Sequence, residues 1–267
     1  MSYQLSHFFE WGLVPDSLLD FTLSEFADCG MENLVLMHQW SERSIDEPEF
    51  LEKLKSAAET FRLGFSGAHA PFGDKWDIGI DSRYADAMIE KQGQALRNAA
   101  KLGIDSMTFH VRTGNFDAAV GQLRALIPAA SSSGVVIAVE NGDDVNDFAL
   151  LNRLIAAADS PWVGGCLDTG HANMGAFAAG ITLADLIRTP EVRKFSGRIV
   201  VVHVHDNHGA KDEHLLAGDG AIDWEVVAPY LRALPRLRSL QNECAAFRCH
   251  TSMLRQAIVF RRLFRGL

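Results

Sequence analysis

The sequence has few of the features that assign a protein to a class at once, and cysteine is the first of them. Its 267 residues include four cysteines, Cys29, Cys166, Cys244 and Cys249, and no two of them form a Cys-x-x-Cys pair. Nothing therefore indicates a disulfide framework. Cys166 and Cys244 lie in apolar, strand-like runs, where a thiol behaves as a small hydrophobic group.

Long apolar runs are also missing. No run approaches the ~18 apolar residues that a membrane-spanning helix requires. Residues 1–11 lack a basic region followed by a long apolar stretch, so no signal peptide is evident. We therefore expect a cytoplasmic protein that does not insert into membranes.

Positive charge is scarce, and the formal net charge is -9. Proteins that hold DNA or RNA usually carry a basic stripe, because release of counterions from the phosphates drives that binding. One dense basic cluster lies at the C-terminus, on an apolar helical pattern typical of a solvated helix face: Arg255, Arg261, Arg262 and Arg265. Nucleic acid is therefore not an expected partner.

The composition that remains is that of a globular enzyme-sized domain. Hydrophobic residues make up 48% of the chain, which is enough to bury one large core, and no linker or low-complexity segment divides it. We therefore predict a single domain over residues 1–267. The sequence leaves open whether copies of the chain associate into a homo-oligomer.

A repeating pattern runs along this domain. A helical stretch ends at a glycine, a short apolar run follows, and one polar residue closes the run. The closing residues recur at intervals of 28 to 41 residues, and they are His69, His110, Glu140, Asp168, His203 and Glu243. With two earlier runs, near residues 3–8 and 33–37, the pattern predicts eight strand–helix units of about 33 residues each, which is a single (β/α)8 TIM barrel.

A doubly wound open sheet is the main alternative fold. It would favour a glycine-rich phosphate loop after the first strand, and the segment Phe8–Gly12 is not such a loop. Continuous apolar runs such as Ile199–Val202 suit parallel strands that are buried on both faces. Within the barrel, the helix predicted over Phe116–Ala130 should end or kink at Pro128.

The closing residues predict a metal site. The carboxyl ends of barrel strands converge on one mouth, so these six side chains should meet there. Clustered carboxylates repel one another and are costly to bury, so a cation is the natural counter-charge. Imidazole combined with carboxylate suits zinc, manganese or iron better than magnesium or calcium.

Three local motifs sharpen this prediction. They are a carboxylate at the end of a β run in Val139–Gly142, the segment Asp168-Thr169-Gly170-His171, and the run His203–Asn207 that is followed by Asp212-Glu213-His214. With these motifs, the chain resembles the xylose isomerase-like TIM barrel superfamily, which groups sugar-phosphate isomerases and epimerases with endonuclease IV. The resemblance covers roughly His69 to Glu243.

The resemblance implies a ligand set. The residues that match Glu140, Asp168, His203 and Glu243 hold one shared metal in this superfamily. Endonuclease IV carries three zinc ions and adds ligands that match five further positions, which here are candidates for additional metal or for substrate: His69, His110, His171, Asp212 and His214. We expect a divalent metal as cofactor, zinc or manganese, with one ion and at most three.

The resemblance also implies an activity: isomerisation or epimerisation of a sugar or sugar derivative, a small-molecule carbohydrate. Glu140 and Glu243 would remove and return a proton next to a carbonyl, and His171 would orient the substrate. His205, Trp40 and Trp76 are candidates for substrate contact. Two other histidines close early strands, and we interpret both His7 and His38 as structural.

One departure from the resemblance matters. Keto-sugar 3-epimerases of this superfamily tend to carry an arginine shortly after the histidine that matches His203, and residues 206–211 contain none. An inosose dehydratase-type lyase reaction on the same site therefore stays open. So do an endonuclease IV-like zinc phosphodiesterase, which the net charge disfavours, and a barrel without catalytic function, which the intact ligands disfavour.

Overall fold

The computed structural model describes residues 3–9, 12–112, 114–245 and 251–265, so Cys249 lies outside the described residues. Eight parallel strands form a closed barrel in the order of the sequence. They are β1 (Gln4–Phe9), β2 (Asn33–Leu36), β3 (Gly64–His69), β4 (Ser106–Phe109), β5 (Val136–Glu140), β6 (Val163–Asp168), β7 (Ile199–Val204) and β8 (Ser239–Asn242). The predicted (β/α)8 TIM barrel is confirmed.

Helices connect the strands and surround the barrel. They are α1 (Leu19–Asp28), α2 (His38–Asp46), α3 (Pro48–Thr60), α4 (Ala85–Lys101), α5 (Phe116–Ser133), α6 (Asp147–Ala158), α7 (Thr169–Ala178), α8 (Leu183–Leu186), α9 (Pro190–Ser196), α10 (Trp224–Arg232) and α11 (Met253–Arg265). None of these helices is both long enough and apolar enough to span a membrane.

The sequence sets several of these helix ends. Asp223 caps α10 as its side chain accepts a hydrogen bond from Glu225 N at 3.1 Å. Gly134 ends α5 in the left-handed conformation with φ 74°, which glycine adopts without strain. These ends fix where the chain turns back to the barrel and hence where the next strand begins.

The expectation that α5 ends at Pro128 is wrong, and the expected kink stays a prediction. The helix continues to Ser133. Proline removes the N–H that would bond the carbonyl of Arg124, but both residues lie on the exposed face of the helix. Because water can bond the free carbonyl there, the helix continues past the proline.

The floor of the site is formed by small side chains inside the barrel. Side chains alternate along a strand, so Val136 and Ala138 share the face of Glu140, and Val201 shares the face of His203. Val136, Ala138 and Val201 are buried together in one apolar cluster. A dry floor therefore lies beneath the polar ends of β5 and β7.

Candidate metal centre

Four side chains from the carboxyl ends of β5 to β8 converge on one point. Each of Glu140, Asp168, His203 and Glu243 offers a donor atom, and these atoms all lie within 4.8 Å of one another. His203 Nδ1 is 2.7 Å from Glu140 Oε1, 3.2 Å from Glu243 Oε2 and 3.8 Å from Asp168 Oδ2. One imidazole nitrogen therefore faces three carboxylates.

The donor set fits a metal ion because its members are buried and incompletely bonded. All four residues are buried. Despite the short distances, His203 Nδ1, Glu140 Oε2 and Glu243 Oε2 have no aligned hydrogen-bond partner among the described residues. Buried polar atoms are nearly always satisfied, so atoms that converge without bonding one another point to a shared cation.

The His203 ring is held from its other side. Thr108 Oγ1 on β4 lies 3.2 Å from His203 Nε2. A metal-binding imidazole usually donates its second N–H to such a partner, which fixes the tautomer and the ring orientation. Nδ1 is therefore the nitrogen that is left to bind a metal ion.

Asp168 is fixed by three neighbouring groups. Asn141 Oδ1 accepts a hydrogen bond from Asp168 N at 2.9 Å, and Asp168 Oδ1 accepts one from His171 N at 2.7 Å, at the start of α7. His205 Nε2 lies 3.0 and 3.1 Å from the two oxygens of Asp168. Sequence reasoning singled out neither Asn141 nor Thr108 for these contacts, because polar residues beside ligands carry no pattern of their own.

Electrostatics favour the charged forms of this cluster. Burial raises the pKa of Glu140, but the charge of His203 and the polar contacts with His110, His203 and His69 hold that pKa well below its usual value. Burial lowers the pKa of His203, yet its interaction with Cys166 and the negative charges of Glu243 and Glu140 raise it well above its usual value. The carboxylates therefore favour a positive charge at this point, and a metal ion bound to neutral His203 would supply it in place of a proton.

The five further candidates for metal or substrate, which we call the outer candidates, lie around this cluster. Two of them are close to Glu140. His110 Nε2 is 3.1 Å from Glu140 Oε2, and His69 Nε2 is 3.7 Å from the same oxygen. The two rings meet edge to face with centroids 4.8 Å apart. Together with Glu140, they form a second group of donor atoms within 4.8 Å.

The other three candidates lie around Asp212, in the long loop after β7. Asp212 Oδ2 is 2.8 Å from His214 Nε2 and 3.7 Å from His171 Nε2. Burial raises the pKa of Asp212, but its contacts with His171 and His214 lower it far more. The side chains of Asp212 and His214 therefore meet each other.

One cavity of about 240 Å³ joins all five outer candidates to Glu140 and Glu243. Met37 and Phe72 complete its lining, and the Phe72 ring centroid lies 4.5 Å from that of His110. Sequence reasoning missed Phe72, because a single aromatic residue in a loop has no periodic signal. The cavity therefore has one apolar wall and is otherwise lined by ligand-type side chains.

Two of the three predicted substrate contacts are fully buried. Trp40 is 0% exposed, with its ring between those of Phe9 and Phe50 at centroid distances of 4.8 and 5.6 Å, so the expectation of substrate contact is wrong. His205 is also 0% exposed and lies behind Asp168, out of reach of a substrate. Trp76 is half-buried, and Lys91 Nζ lies 4.3 Å above its ring.

Asp206 anchors the loop that carries Asp212 and His214. This buried carboxylate accepts hydrogen bonds from Asn207 N, Gly218 N, Ile222 N and Trp224 Nε1, at 2.8 to 3.2 Å. The loop is thereby held at its beginning, middle and end by one side chain. Such an anchor gives Asp212 and His214 a fixed position at the mouth.

A model of the family described as xylose isomerase-like TIM barrel matches residues 23–235, which is more than half of the chain. Among curated proteins, y4fM of Sinorhizobium fredii is 33% identical over 102 residues, and MJ1311 of Methanocaldococcus jannaschii is 25% identical over 186 residues. Those matches cover 37% and 62% of this chain, and they span 30% and 59% of the length of the two relatives.

Solved structures extend the fold comparison to nearly the whole chain. The apo form of 3-keto-D-glucoside 4-epimerase YcjR from E. coli has a TM-score of 0.74 at 15% identity and covers 100% of both chains. A D-tagatose 3-epimerase-like protein has a TM-score of 0.72 at 19% identity, covering 98% of this chain and 96% of that one. The IOLI protein with a bound zinc atom has 0.71 at 15% identity, covering 97% and 95%.

Proposed function

Because the chain belongs to the xylose isomerase-like TIM barrel family, we propose that it is a divalent-metal-dependent isomerase or epimerase of a sugar or sugar derivative. The observation that carries the proposal is the convergence of His203 Nδ1 with three buried carboxylates that lack aligned partners. The family's solved sugar epimerases and the zinc in the IOLI structure support it further.

The core set would hold one divalent ion through Glu140, Asp168, His203 and Glu243, with zinc or manganese best suited to its oxygen and nitrogen donors. When bound, such an ion acts as a Lewis acid that polarises a carbonyl and acidifies the neighbouring C–H. The apolar floor beneath these side chains keeps water from that side. The buried setting strengthens every electrostatic contact in the site.

The two glutamates would move the proton. Glu140 and Glu243 lie on either side of His203 Nδ1, at 2.7 and 3.2 Å. In an epimerisation, one carboxylate takes the proton from the carbon next to the carbonyl, leaving an enediolate. The other carboxylate takes up a proton from solvent and delivers it to the opposite face. His171 lines the same cavity, where it would orient the substrate hydroxyls.

Metal content is the first test. Elemental analysis of protein purified without added metal should give about one equivalent of a divalent ion if this function is right. Three equivalents of zinc would favour the phosphodiesterase alternative instead. A chain that takes up no divalent ion from titrated zinc or manganese would contradict both proposals.

Proton abstraction is the second test. The metal-loaded protein should exchange solvent deuterium into a ketose or an inosose, detected by NMR across a panel of these compounds. Glu243→Gln should abolish the exchange, whereas Glu213→Gln, an exposed-loop control that pairs with His208, should leave it unchanged. Exchange by Glu243→Gln at the rate of the unmodified chain would refute the role of Glu243.

A dehydration of inosose type remains a candidate on the same site, because it begins with the same proton abstraction. The absence of an arginine in residues 206–211 favours it over keto-sugar 3-epimerisation. Loss of water from the substrate, seen by mass spectrometry as a product of lower mass, would identify it. Epimerisation conserves mass.

An endonuclease IV-like phosphodiesterase is supported by one observation. Additional donor groups lie beside the four core residues: the pair His69 and His110, and the pair Asp212 and His214. Clustered metals can clamp the attacking and leaving oxygens of a phosphodiester. The net charge of -9 argues against a nucleic-acid substrate. Cleavage of an abasic-site duplex by the zinc-loaded chain would favour this alternative.

A further inference from the structure

We propose that His205 is a positioning residue, which orients Asp168 toward the metal and is not itself a ligand. The inference rests on the proposed metal-dependent function and assigns a role to a residue outside the core set. His205 follows the last residue of β7 and is completely buried. Its position behind Asp168 separates it from the cavity where a substrate would bind.

The contact with Asp168 is made to both carboxylate oxygens. His205 Nε2 lies 3.0 Å from Oδ1 and 3.1 Å from Oδ2. A donor shared in this way fixes the rotation of the carboxylate about its last bond. Asp168 Oδ1 also accepts a hydrogen bond from His171 N. Asp168 Oδ2 lies 3.8 Å from His203 Nδ1, so this oxygen remains available to bind a metal ion with the other core residues.

His205 is in turn held by its own surroundings. Thr169 Oγ1 donates to His205 O at 2.8 Å and accepts from His205 N at 3.1 Å, which clamps the backbone. The ring stacks on that of His214 with centroids 4.2 Å apart. A side chain at Gly170 would collide with the His205 ring, so this glycine leaves the space the ring needs. These contacts restrict the orientation of the imidazole.

An alternative role, as a ligand with Asp212 and His214, fails on geometry. The donor atoms of these three residues lie within 4.8 Å of one another, and His205 Nδ1 is 3.8 Å from Asp212 Oδ1. The planes of the His205 and His214 rings, however, are only 22° from parallel and are stacked. An imidazole binds a metal in its ring plane, and one ion cannot lie in two stacked planes.

The expected size of the effect follows from other metal sites. Partners that orient a ligand from behind typically change metal affinity by about 10- to 100-fold when they are removed. His205→Phe keeps the ring volume and the stacking on His214 but removes the N–H. We therefore expect this variant to fold and to bind a divalent ion about 10- to 100-fold more weakly.

Cobalt(II) gives a readout that is independent of catalysis. Its affinity is measured by competition with a chelator, and its visible absorption spectrum reports the geometry of the bound ion. His205→Phe should weaken binding and change the spectrum, and His205→Gln, which keeps an N–H donor, should restore part of both. His208→Phe, an exposed control that pairs with Glu213 in the same loop, should change neither.

The inference is overturned if His205→Phe binds cobalt as tightly as the unmodified chain with the same spectrum, or if His208→Phe has an equal effect. If His205→Phe does not fold, Thr169→Val loosens the clamp and should still weaken binding, by up to about 10-fold; unchanged binding would overturn the inference. A chain that binds cobalt but exchanges no substrate proton would refute the proposed function and leave this test intact. Failure to bind any divalent ion would refute both.

Discussion

Two buried histidines, His7 on β1 and His203 on β7, have opposite electrostatic surroundings. His203 is 0% exposed and lies among three carboxylates at the mouth. His7 is 5% exposed and lies near α11, where its ring meets that of Phe260 edge to face at 5.2 Å. Asn242 Nδ2 donates to His7 Nδ1 at 3.2 Å, so the ring acts there as a neutral acceptor.

The pKa values of the two rings diverge accordingly. Burial lowers the pKa of His7 to about 3, and the charge of Arg261 lowers it as well. Burial acts in the same direction on His203, but the neighbouring carboxylates reverse it. Burial alone therefore does not set the pKa of a histidine, because the charges of neighbouring side chains can reverse its effect.

The largest effect is expected from exchanging the two histidines for glutamine one at a time. His203→Gln removes the nitrogen donor of the core set, so divalent-metal affinity should fall by more than the roughly 100-fold that orienting partners contribute. His7→Gln should leave affinity unchanged. Calorimetric titration with zinc and manganese checks both, and a loss of binding in His7→Gln would break the comparison.

Acid should destabilise the fold through His7. Its folded pKa of about 3 lies below the unfolded value of 6.5, so the unfolded chain binds more protons between these two pH values. Stability should therefore fall as pH decreases through this window, by up to ~1.4 kcal/mol per pH unit. Denaturation in urea between about pH 7 and pH 4.5 measures this slope, because the loss of stability begins near the unfolded pKa, which lies inside that range.

The control for this prediction is His7→Gln, which lacks the titrating group. Other groups titrate in both proteins, so only the difference between the two slopes belongs to His7. The slope should be shallower in the variant. Equal slopes would mean that His7 is not held in its neutral form.

A smaller effect is expected from the group that orients His203. Thr108→Val keeps the shape of a buried side chain but removes the hydroxyl at 3.2 Å from His203 Nε2. Metal affinity should fall by about 10-fold. Thr22→Val on α1, also buried, is the matched control and should bind metal normally. Equal affinities in the two variants would show that Thr108 does not orient the ring.

The smallest effect is expected at the ion pair that joins the loop after β7 to α11. Arg255 lies 2.6 Å from both oxygens of Asp219, and the side chains are 49% and 30% exposed. Arg255→Gln should cost less than about 1 kcal/mol, and less still in high salt, because water and ions screen exposed charges. Thermal unfolding at low and high salt measures this; a large, salt-independent loss would contradict it.

Most of the architecture could be predicted from the sequence because it depends on local patterns. Strands β3, β5 and β6 end at the predicted residues His69, Glu140 and Asp168. Apolar runs, glycines and caps act within a few residues, so they can be read along the chain. The continuation of α5 past Pro128 was missed because it depends on which face of the helix meets water.

Two substrate-contact predictions failed for a related reason. His205 would share the face of His203 if the strand continued, but β7 ends at Val204, and beyond that residue side chains no longer alternate. Trp40 follows a strand end by a few residues, but α2 begins at His38 and turns the indole into the core. Residue type and spacing do not specify direction once the chain leaves a regular element.

The sequence by itself therefore determined the eight-unit barrel and the chemistry of its mouth, since spacing, periodicity and ligand-type residues are local properties. The tertiary structure alone decided which donors meet within 4.8 Å, which nitrogen of His203 faces the carboxylates, and why the pKa of His7 is lowered while that of His203 is raised. These outcomes depend on burial and on charges brought together from distant strands. Contacts of that kind exist only after the barrel has closed.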